Sequence, residues 1–412
     1  MKPQPGQQVE IAITDVAYGG DGVGRVDGFV VFVPFTLAGE TVRATIRRRK
    51  KQCFFAELDE IVTPSAHRVV PRCQYYQLCG GCQYQHASYD EQLRIKTKQL
   101  RDMLAHLGGF GGSVAVLPME GSPRQWRFRN RIDLHPDGSD GYGFCIRNRS
   151  RQVFTLHDCP LFELERDFSD YPLRKPGHLL VVRTHSGRPY CYFKTDHNEV
   201  ASGPFDLDSG GPLDDDVMWF DIDGKRFSLR YQDFFQVNRW VLPVFIERVR
   251  EVAALHHGDT LLDVYCGTGL FGLSLAGECA RVLGVEALAS SIEAARANSR
   301  ALGITNASFT AAPAEEYLHA LVVQGAKADV CIVDPPRNGL TNKVVSCLKK
   351  LRPRTLVYIS CGPDTFMRDA RKFVEAGYAF ESVRPLDLFP QTKHFELVAR
   401  FARQEGGDET AH

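Results

Sequence analysis

The sequence predicts an α/β protein: a Rossmann-like, doubly wound parallel sheet preceded by a small OB-like β-barrel and a β-rich central domain. Three observations carry that expectation. From residue 236 to 412, short apolar runs alternate with helix-length segments, the rhythm of βαβ units. Over residues 1–62, apolar and polar residues alternate with period two around glycine-dense turns. Between them, residues 63–235 hold a cysteine cluster, one amphipathic helix and then strand-rich sequence. A chain of 412 residues is too long for one ordinary core and suits such a division.

In the first part, residues 9–13 and 29–33 read as strands, and the glycines of 19–25 as the turns between them. Residues 43–51, Arg-Ala-Thr-Ile-Arg-Arg-Arg-Lys-Lys, concentrate positive charge just ahead of Phe54 and Phe55. Basic residues beside aromatics suit RNA phosphates and bases; a solvated strand face over core phenylalanines is the plainer account. In the central part, residues 89–107 read as a helix with Leu93, Leu100, Met103, Leu104 and Leu107 on one stripe. The segment 126–131 places Arg127, Arg129 and Arg131 on one face of a predicted strand, where phosphates would meet all three. In the last part, strands are expected at 260–265, 280–286, 307–311, 330–334 and 356–360, and the tail 406–410 should fray.

Basic and acidic residues both number 50, so net charge offers RNA no general attraction; only a local patch supplies it. No apolar run approaches the ~18 residues that span a bilayer. The opening MKPQPGQQVEIAITDV has no apolar signal core, so a cytoplasmic protein without membrane contact is expected. In a reducing compartment its 12 cysteines point to ligands, nucleophiles or core residues rather than to disulfides.

The strand ending in Tyr265 runs into Cys266-Gly267-Thr268-Gly269-Leu270-Phe271-Gly272, a turn that brings backbone close to a ligand at the sheet's carboxyl edge. The same G-x-G-x-x-G spacing is the dinucleotide fingerprint, which makes an NAD-dependent oxidoreductase the competing enzyme class. Glu286, ending the next strand, is placed to accept both hydroxyls of a ribose, a group NAD and S-adenosylmethionine share. Asp334-Pro335-Pro336-Arg337 closes the fourth strand as a rigid acidic turn at the same edge, which a dehydrogenase does not require.

Cys361 directly follows a buried strand that Gly362-Pro363 terminates, so its thiol is expected at the cofactor edge. A polarizable, partly ionised thiol is a capable nucleophile; the plainer reading is a small core residue, as for Cys331 and Cys347. Downstream, Asp387-Leu388-Phe389-Pro390-Gln391-Thr392-Lys393-His394-Phe395-Glu396 enters an apolar strand, with His394 and Glu396 expected on one side of it.

Together these motifs resemble the RNA uridine-5-methyltransferases, in the branch with an N-terminal TRAM domain and an iron–sulfur cluster, over nearly the whole chain. Gly20-Asp21-Gly22-Val23-Gly24-Arg25 is similar to a TRAM domain. The resemblance implies a [4Fe–4S] cluster on Cys73, Cys79 and Cys82, in Cys-x5-Cys-Gly-Gly-Cys-Gln-x-Gln-His, and on Cys159; zinc would accept the same four thiolates, but usually as two close pairs, so the spacing of three together and one far downstream favours iron. It further implies S-adenosylmethionine against Gln236, Tyr265, Gly267, Glu286 and Asp334, with Cys361 as nucleophile and Glu396 as base. The helix after the cysteine cluster should pack on the catalytic domain. Gly362 departs from the family's usual Asn or Asp, and Leu270 from a position polar in some members.

The implied reaction is attack of Cys361 on C6 of a uridine, methylation of C5 and removal of the C5 proton by Glu396. The base must first leave its stack. Ribosomal 23S RNA is the favoured substrate, because tRNA enzymes of this family commonly lack both the TRAM domain and the cluster; tRNA is the alternative. A monomer is expected. The non-enzymatic alternative, an RNA-binding iron–sulfur protein, leaves Cys361 and Glu396 without a purpose.

Overall fold

The computed structural model describes residues 2–404, apart from 139–140, 166, 169–174, 176, 186–187, 196, 198 and 214–215. The tail expected to fray lies outside the described residues. Five strands, β1 (Gln8–Val16), β2 (Asp21–Val26), β3 (Phe29–Pro34), β4 (Thr41–Lys50) and β5 (Cys53–Thr63), close into a barrel in the order β1-β2-β3-β5-β4. Inward residues such as Ile11, Val31, Val42 and Phe54 fill it. The glycine stretch is only partly a turn, because residues 21–26 are a strand. Its glycines permit close crossing: a Cβ on Gly24 would stand 2.3 Å from Ile11 Cγ2, and one on Gly22 2.0 Å from Thr36 Oγ1.

Helix α1 (Tyr89–Met103) ends in a π-helical turn, Leu104–Gly108. The wider turn carries its residues off the 3.6-residue phase, and Leu107 leaves the expected stripe to lie 51% exposed. The buried face of α1 is half polar: Glu91, Gln92, Lys96 and Gln99 accompany Ile95, Leu100 and Met103. After the short β6 (Ala115–Val116), the strand expected at 126–131 does not form. Arg127 sits at φ 52° and the three arginines diverge. Arg127 pairs with Asp158 at 2.7 Å, Arg129 donates to the Arg131 carbonyl at 2.8 Å, and Arg131 pairs with Asp133 at 2.7 Å.

Next in the chain comes an antiparallel sheet, ordered β12-β11-β10-β7-β8-β9, from β7 (Arg131–Pro136), β8 (Tyr142–Ile146), β9 (Arg149–Thr155), β10 (Leu179–His185), β11 (Arg188–Lys194) and β12 (Val200–Asp206). The hairpin β13 (Val217–Ile222) and β14 (Lys225–Arg230) sends Phe220, Phe227 and Leu229 into the core of the last sheet.

That sheet has eight strands in the order β17-β16-β15-β18-β19-β21-β20-β6. Its further members are β15 (Thr260–Val264), β16 (Arg281–Glu286), β17 (Ala307–Ala311), β18 (Val330–Val333), β19 (Thr355–Ser360), β20 (Tyr378–Leu386) and β21 (Glu396–Arg403). Strands β15 to β19 run parallel, and β21 inserts antiparallel between β19 and β20. Helices α2 (Leu242–Ala253), α3 (Leu270–Leu275), α4 (Ala289–Ala301), α5 (Ala314–Val323), α6 (Asn342–Leu351) and α7 (Pro363–Val374) accompany them. The sheet is covered on both faces: Leu261 and Leu262 belong to opposite cores. Leu100 and Met103 of α1 share one of these cores with Phe373, and β6 pairs with β20 through Val116 and Val383. No helix among the described residues is long and apolar enough to cross a membrane.

Candidate active site

The strand order reverses at β15, between β16 and β18, and the carboxyl ends of these strands open the crevice where such sheets bind ligands. Tyr265 and Gly267 come after β15, Glu286 ends β16, and Asp334 comes after β18. The turn after β15 uses left-handed backbone, with φ 65° at Tyr265, 52° at Gly267 and 84° at Gly269. Tyr265 is held in this conformation by its amide, which donates to Val285 O at 2.9 Å. A Cβ at Gly272 would stand 2.9 Å from Asp263 Oδ2, the oxygen that accepts the Gly272 amide at 2.9 Å. At Gly267 a Cβ would meet nothing within 4 Å, so the backbone there is open.

Glu286 is half-buried, and its Oε1 accepts the Leu288 amide at 3.0 Å. Burial, then the charge of Glu286, pushes the Asp263 carboxyl up to about 7 against the pull of the Gly272 amide. Burial, then Asp263 and Glu286, pushes Asp334 up to about 7 as well. Gln236 precedes the short 3-10 turn Arg239–Val241, which Asn238 caps; Asn130 Nδ2 donates to the Gln236 carbonyl at 3.0 Å.

Cys361 and Glu396 are brought together by strand register. In the antiparallel pair β19–β21, Ser360 lies opposite Leu397, so the next positions outward are Cys361 and Glu396. Cys361 is half-buried, whereas Glu396 is 5% exposed. Burial, then Glu396 and Asp334, pushes the Cys361 thiol up to about 11, while Arg337 draws it down. Burial and then Asp334 hold Glu396 well above the usual carboxylate range, again against Arg337. The buried Asp369 on α7 accepts from Tyr358 Oη at 2.9 Å and from the Leu340 amide at 2.7 Å, fastening the turn after β18 to β19. The Thr365 hydroxyl donates to Arg337 O at 3.0 Å. A Cβ on Gly362 would come within 3.2 Å of that same carbonyl. His394 lies ahead of the strand rather than in it, because β21 begins at Glu396. Burial, then Arg337, lowers the His394 imidazole to about 4, so it is neutral at pH 7.

Two participants escape sequence reasoning. Arg337 reads there only as the end of a turn. Tyr18, in the turn between β1 and β2, is 42% exposed and meets Phe395 edge-on, ring centroids 6.3 Å apart. Asp364, Arg337 and Cys361 all act on its hydroxyl. Residues nearly four hundred positions apart leave no local signal of this contact.

Cys73, Cys79, Cys82 and Cys159 line one cavity of about 380 Å³, together with Gln85 and Arg129. All four are free thiols. The Gly81 amide donates to Cys79 Sγ at 3.4 Å, and the Cys73 amide donates to Gln85 Oε1 at 3.1 Å. Burial, then Cys159 and Cys73, pushes Cys79 up to about 11 against the Gly81 amide. Among the described residues, no three His, Cys, Asp or Glu side chains stand ready to hold a single metal ion. On the barrel, Arg48 lies 4.0 Å over Phe55, which stacks on Phe32 at 5.2 Å, while Phe54 is core.

A doubly wound sheet with one antiparallel strand set inside it, an acidic crevice at its switch point and a small closed barrel ahead of it have the architecture of an RNA methyltransferase. Residues 214–403 match the family described as tRNA (Uracil-5-)-methyltransferase, and residues 2–58 match the TRAM domain. An uncharacterized RNA methyltransferase of Listeria monocytogenes is 31% identical, covering 95% of this chain and 97% of its own. Another from Halalkalibacterium halodurans is 31% identical, covering 95% and 96%. The crystal structure of Pyrococcus abyssi tRNA (uracil-54, C5)-methyltransferase in complex with S-adenosyl-L-homocysteine is similar at a TM-score of 0.70 and 27% identity. That likeness covers 96% of this chain and 100% of the other. The chain belongs to the S-adenosylmethionine-dependent RNA uracil-5-methyltransferase family, and the dehydrogenase reading of its glycine turn is set aside.

Proposed function

We propose that this protein methylates C5 of a uridine in 23S ribosomal RNA through a covalent adduct between Cys361 and C6. The observation that carries this is the register that sets Cys361 beside Glu396 at the mouth of the crevice bounded by Asp334. When bound, S-adenosylmethionine supplies an electrophilic methyl group. The half-buried Glu286 carboxylate and the open backbone at Gly267 fit a ribose-bearing ligand. Glu286 would hold the ribose hydroxyls, with Gln236, Tyr265, Gly267 and Asp334 around the rest.

Arg337 favours ionisation of Cys361. The thiolate adds to C6 and leaves C5 electron-rich, which uracil alone is not. After C5 has been methylated, the Glu396 carboxylate takes the C5 proton and the C6–S bond breaks, freeing Cys361. The exposed Arg47–Arg49 stretch and Phe55 would hold flanking phosphates and bases, and Tyr18 offers an aromatic face at the rim.

Cys73, Cys79, Cys82 and Cys159 share one cavity, which Cys145 also lines, and four thiolates would satisfy the irons of a [4Fe–4S] cluster. Such a cluster would tie the loop 73–82 to residue 159. The reading includes a monomer working in the cytoplasm. A tRNA substrate is the second reading, favoured by the Pyrococcus abyssi likeness. Mapping 5-methyluridine in both RNAs of a deletion strain decides between them.

Cys361→Ala should form no RNA adduct and lose methyl transfer by at least about a thousandfold. Glu396→Gln should stall as a methylated, covalent RNA–protein complex that survives denaturation. Normal turnover by either folded variant would overturn the assigned roles.

A further inference from the structure

The segment that delivers Glu396 is held by parts of the chain outside its own sheet. Gln83 and Tyr84, directly after Cys82, donate their amides to Gln391 O at 3.0 and 2.9 Å. The Lys393 amide donates to Gln83 Oε1 at 3.0 Å. From α1, Gln92 Nε2 donates to Gln391 Oε1 at 3.0 Å, and Gln92 Oε1 accepts the Gln391 amide at 2.9 Å. Lys96 Nζ donates to Asp387 Oδ1 at 2.7 Å, to Phe389 O at 3.2 Å and to His394 O at 3.1 Å. Gln391 is 2% exposed and sits at φ 70°, a conformation that a non-glycine residue keeps only when its surroundings enforce it. Its amide, its carbonyl and its side-chain oxygen are all engaged by residues 83–92.

We propose that the cysteine loop and α1 form a clamp on residues 387–395, that Gln83 and Gln92 are positioning residues for Glu396, and that a group bound by the four cysteines tightens this clamp. The inference rests on the reading of Glu396 as the base. Gln83 is one peptide unit from Cys82, so a ligand that fixes Cys82 fixes the donor and acceptor that Gln391 and Lys393 use. Beyond its own turns, the loop 73–82 is fastened by the Arg147 amide donating to Leu78 O at 2.8 Å, the His157 amide donating to Tyr75 Oη at 3.1 Å and the Tyr75–Phe154 ring contact, none of which involves a cysteine sulfur. Gln83→Ala strands the Lys393 amide, a half-buried donor. Gln83→Glu keeps the accepting oxygen.

The test is hydrogen exchange on the full-length protein without RNA, paired with single-turnover formation and decay of the RNA adduct. In Gln83→Ala, amides of 387–395 should exchange about tenfold faster, as for the loss of a hydrogen bond. Exchange in β15 and β18 should not change. Adduct formation should keep its rate while decay slows about tenfold, and Gln83→Glu should restore both. Stripping the cysteines of their bound group should loosen 387–395 in the same way. Unchanged exchange in Gln83→Ala would overturn the clamp, and unchanged exchange in the stripped protein would overturn its link to the cysteines. Faster exchange with normal decay would overturn the positioning role. If Glu396→Gln itself decays normally, the reading of the base fails instead.

Discussion

In the proposed reaction, Cys361 and Glu396 are two acids that must ionise in a crevice already crowded with carboxylates. An acid whose proton is held tightly gains reactivity as pH rises. Alkylation of Cys361 by iodoacetamide in the free enzyme should therefore climb about tenfold per pH unit from 7 toward 10. Mass spectrometry of the labelled peptide reads this rate. Glu396→Gln removes the acid that, after burial, does most to raise the thiol and should move the profile to lower pH; Arg337→Leu should move it higher. A plateau already at pH 8 would contradict the burial that sets it. Asp263 carries a related consequence for stability. Its folded-state pKa lies above its unfolded value, so the folded form retains a proton that the unfolded form releases. Stability is lost as pH rises from about 4 through about 7. Asp263→Asn keeps an acceptor for the Gly272 amide and does not ionise. Its melting temperature relative to wild type should rise from pH 5 to pH 8, and a constant difference in calorimetry would refute the assignment. At this scale the motif residues were legible, because Glu286 ends a buried strand and Cys361 and Asp334 each directly follow one, and the strand pattern is local. Arg337 and Tyr18 were not, since their positions depend on which distant segments meet.

At the scale of elements, period and punctuation carried the parallel strands well. Strands covered on both faces are continuous apolar runs, and β15 to β19 fall within a residue of the expected limits. Three features overrode the pattern for physical reasons. Gly22 and Gly24 serve a tight barrel crossing rather than a turn. The π turn after α1 shifts the helical phase at Leu107. Arg127 takes a left-handed backbone that ends any strand face. The basic end of β4 has a measurable role of its own. Arg47, Arg48 and Arg49 are exposed, and the whole chain has no net charge to help them. Replacing all three by alanine should weaken RNA binding and reduce the slope of log K against log salt by about 2, at about 0.7 per phosphate contact to a single strand. Filter binding over a salt series measures it, and an unchanged slope would assign the RNA path elsewhere.

Across the whole molecule, the parts defined along the sequence are interleaved in space. The barrel reaches the catalytic rim through Tyr18, and α1 and β6 complete the catalytic unit from a position ahead of the central sheet. The cysteine cavity lies between the loop 73–82 and residue 159, at the junction of these parts. Protein purified without oxygen should be brown, with broad absorbance near ~400 nm, and Cys159→Ala should bleach it. Colourless protein carrying stoichiometric zinc would replace the cluster by another metal.

The place of β21 also governs how the chain comes into being. It is the last of the described strands, yet it lies inside the sheet and begins with Glu396. As the chain leaves the ribosome, β19 and β20 emerge before the strand that joins them, and their unpaired edges wait exposed to water and to other chains. A nascent chain that has not yet delivered β21 has neither a continuous sheet nor Glu396, however much of the rest has folded.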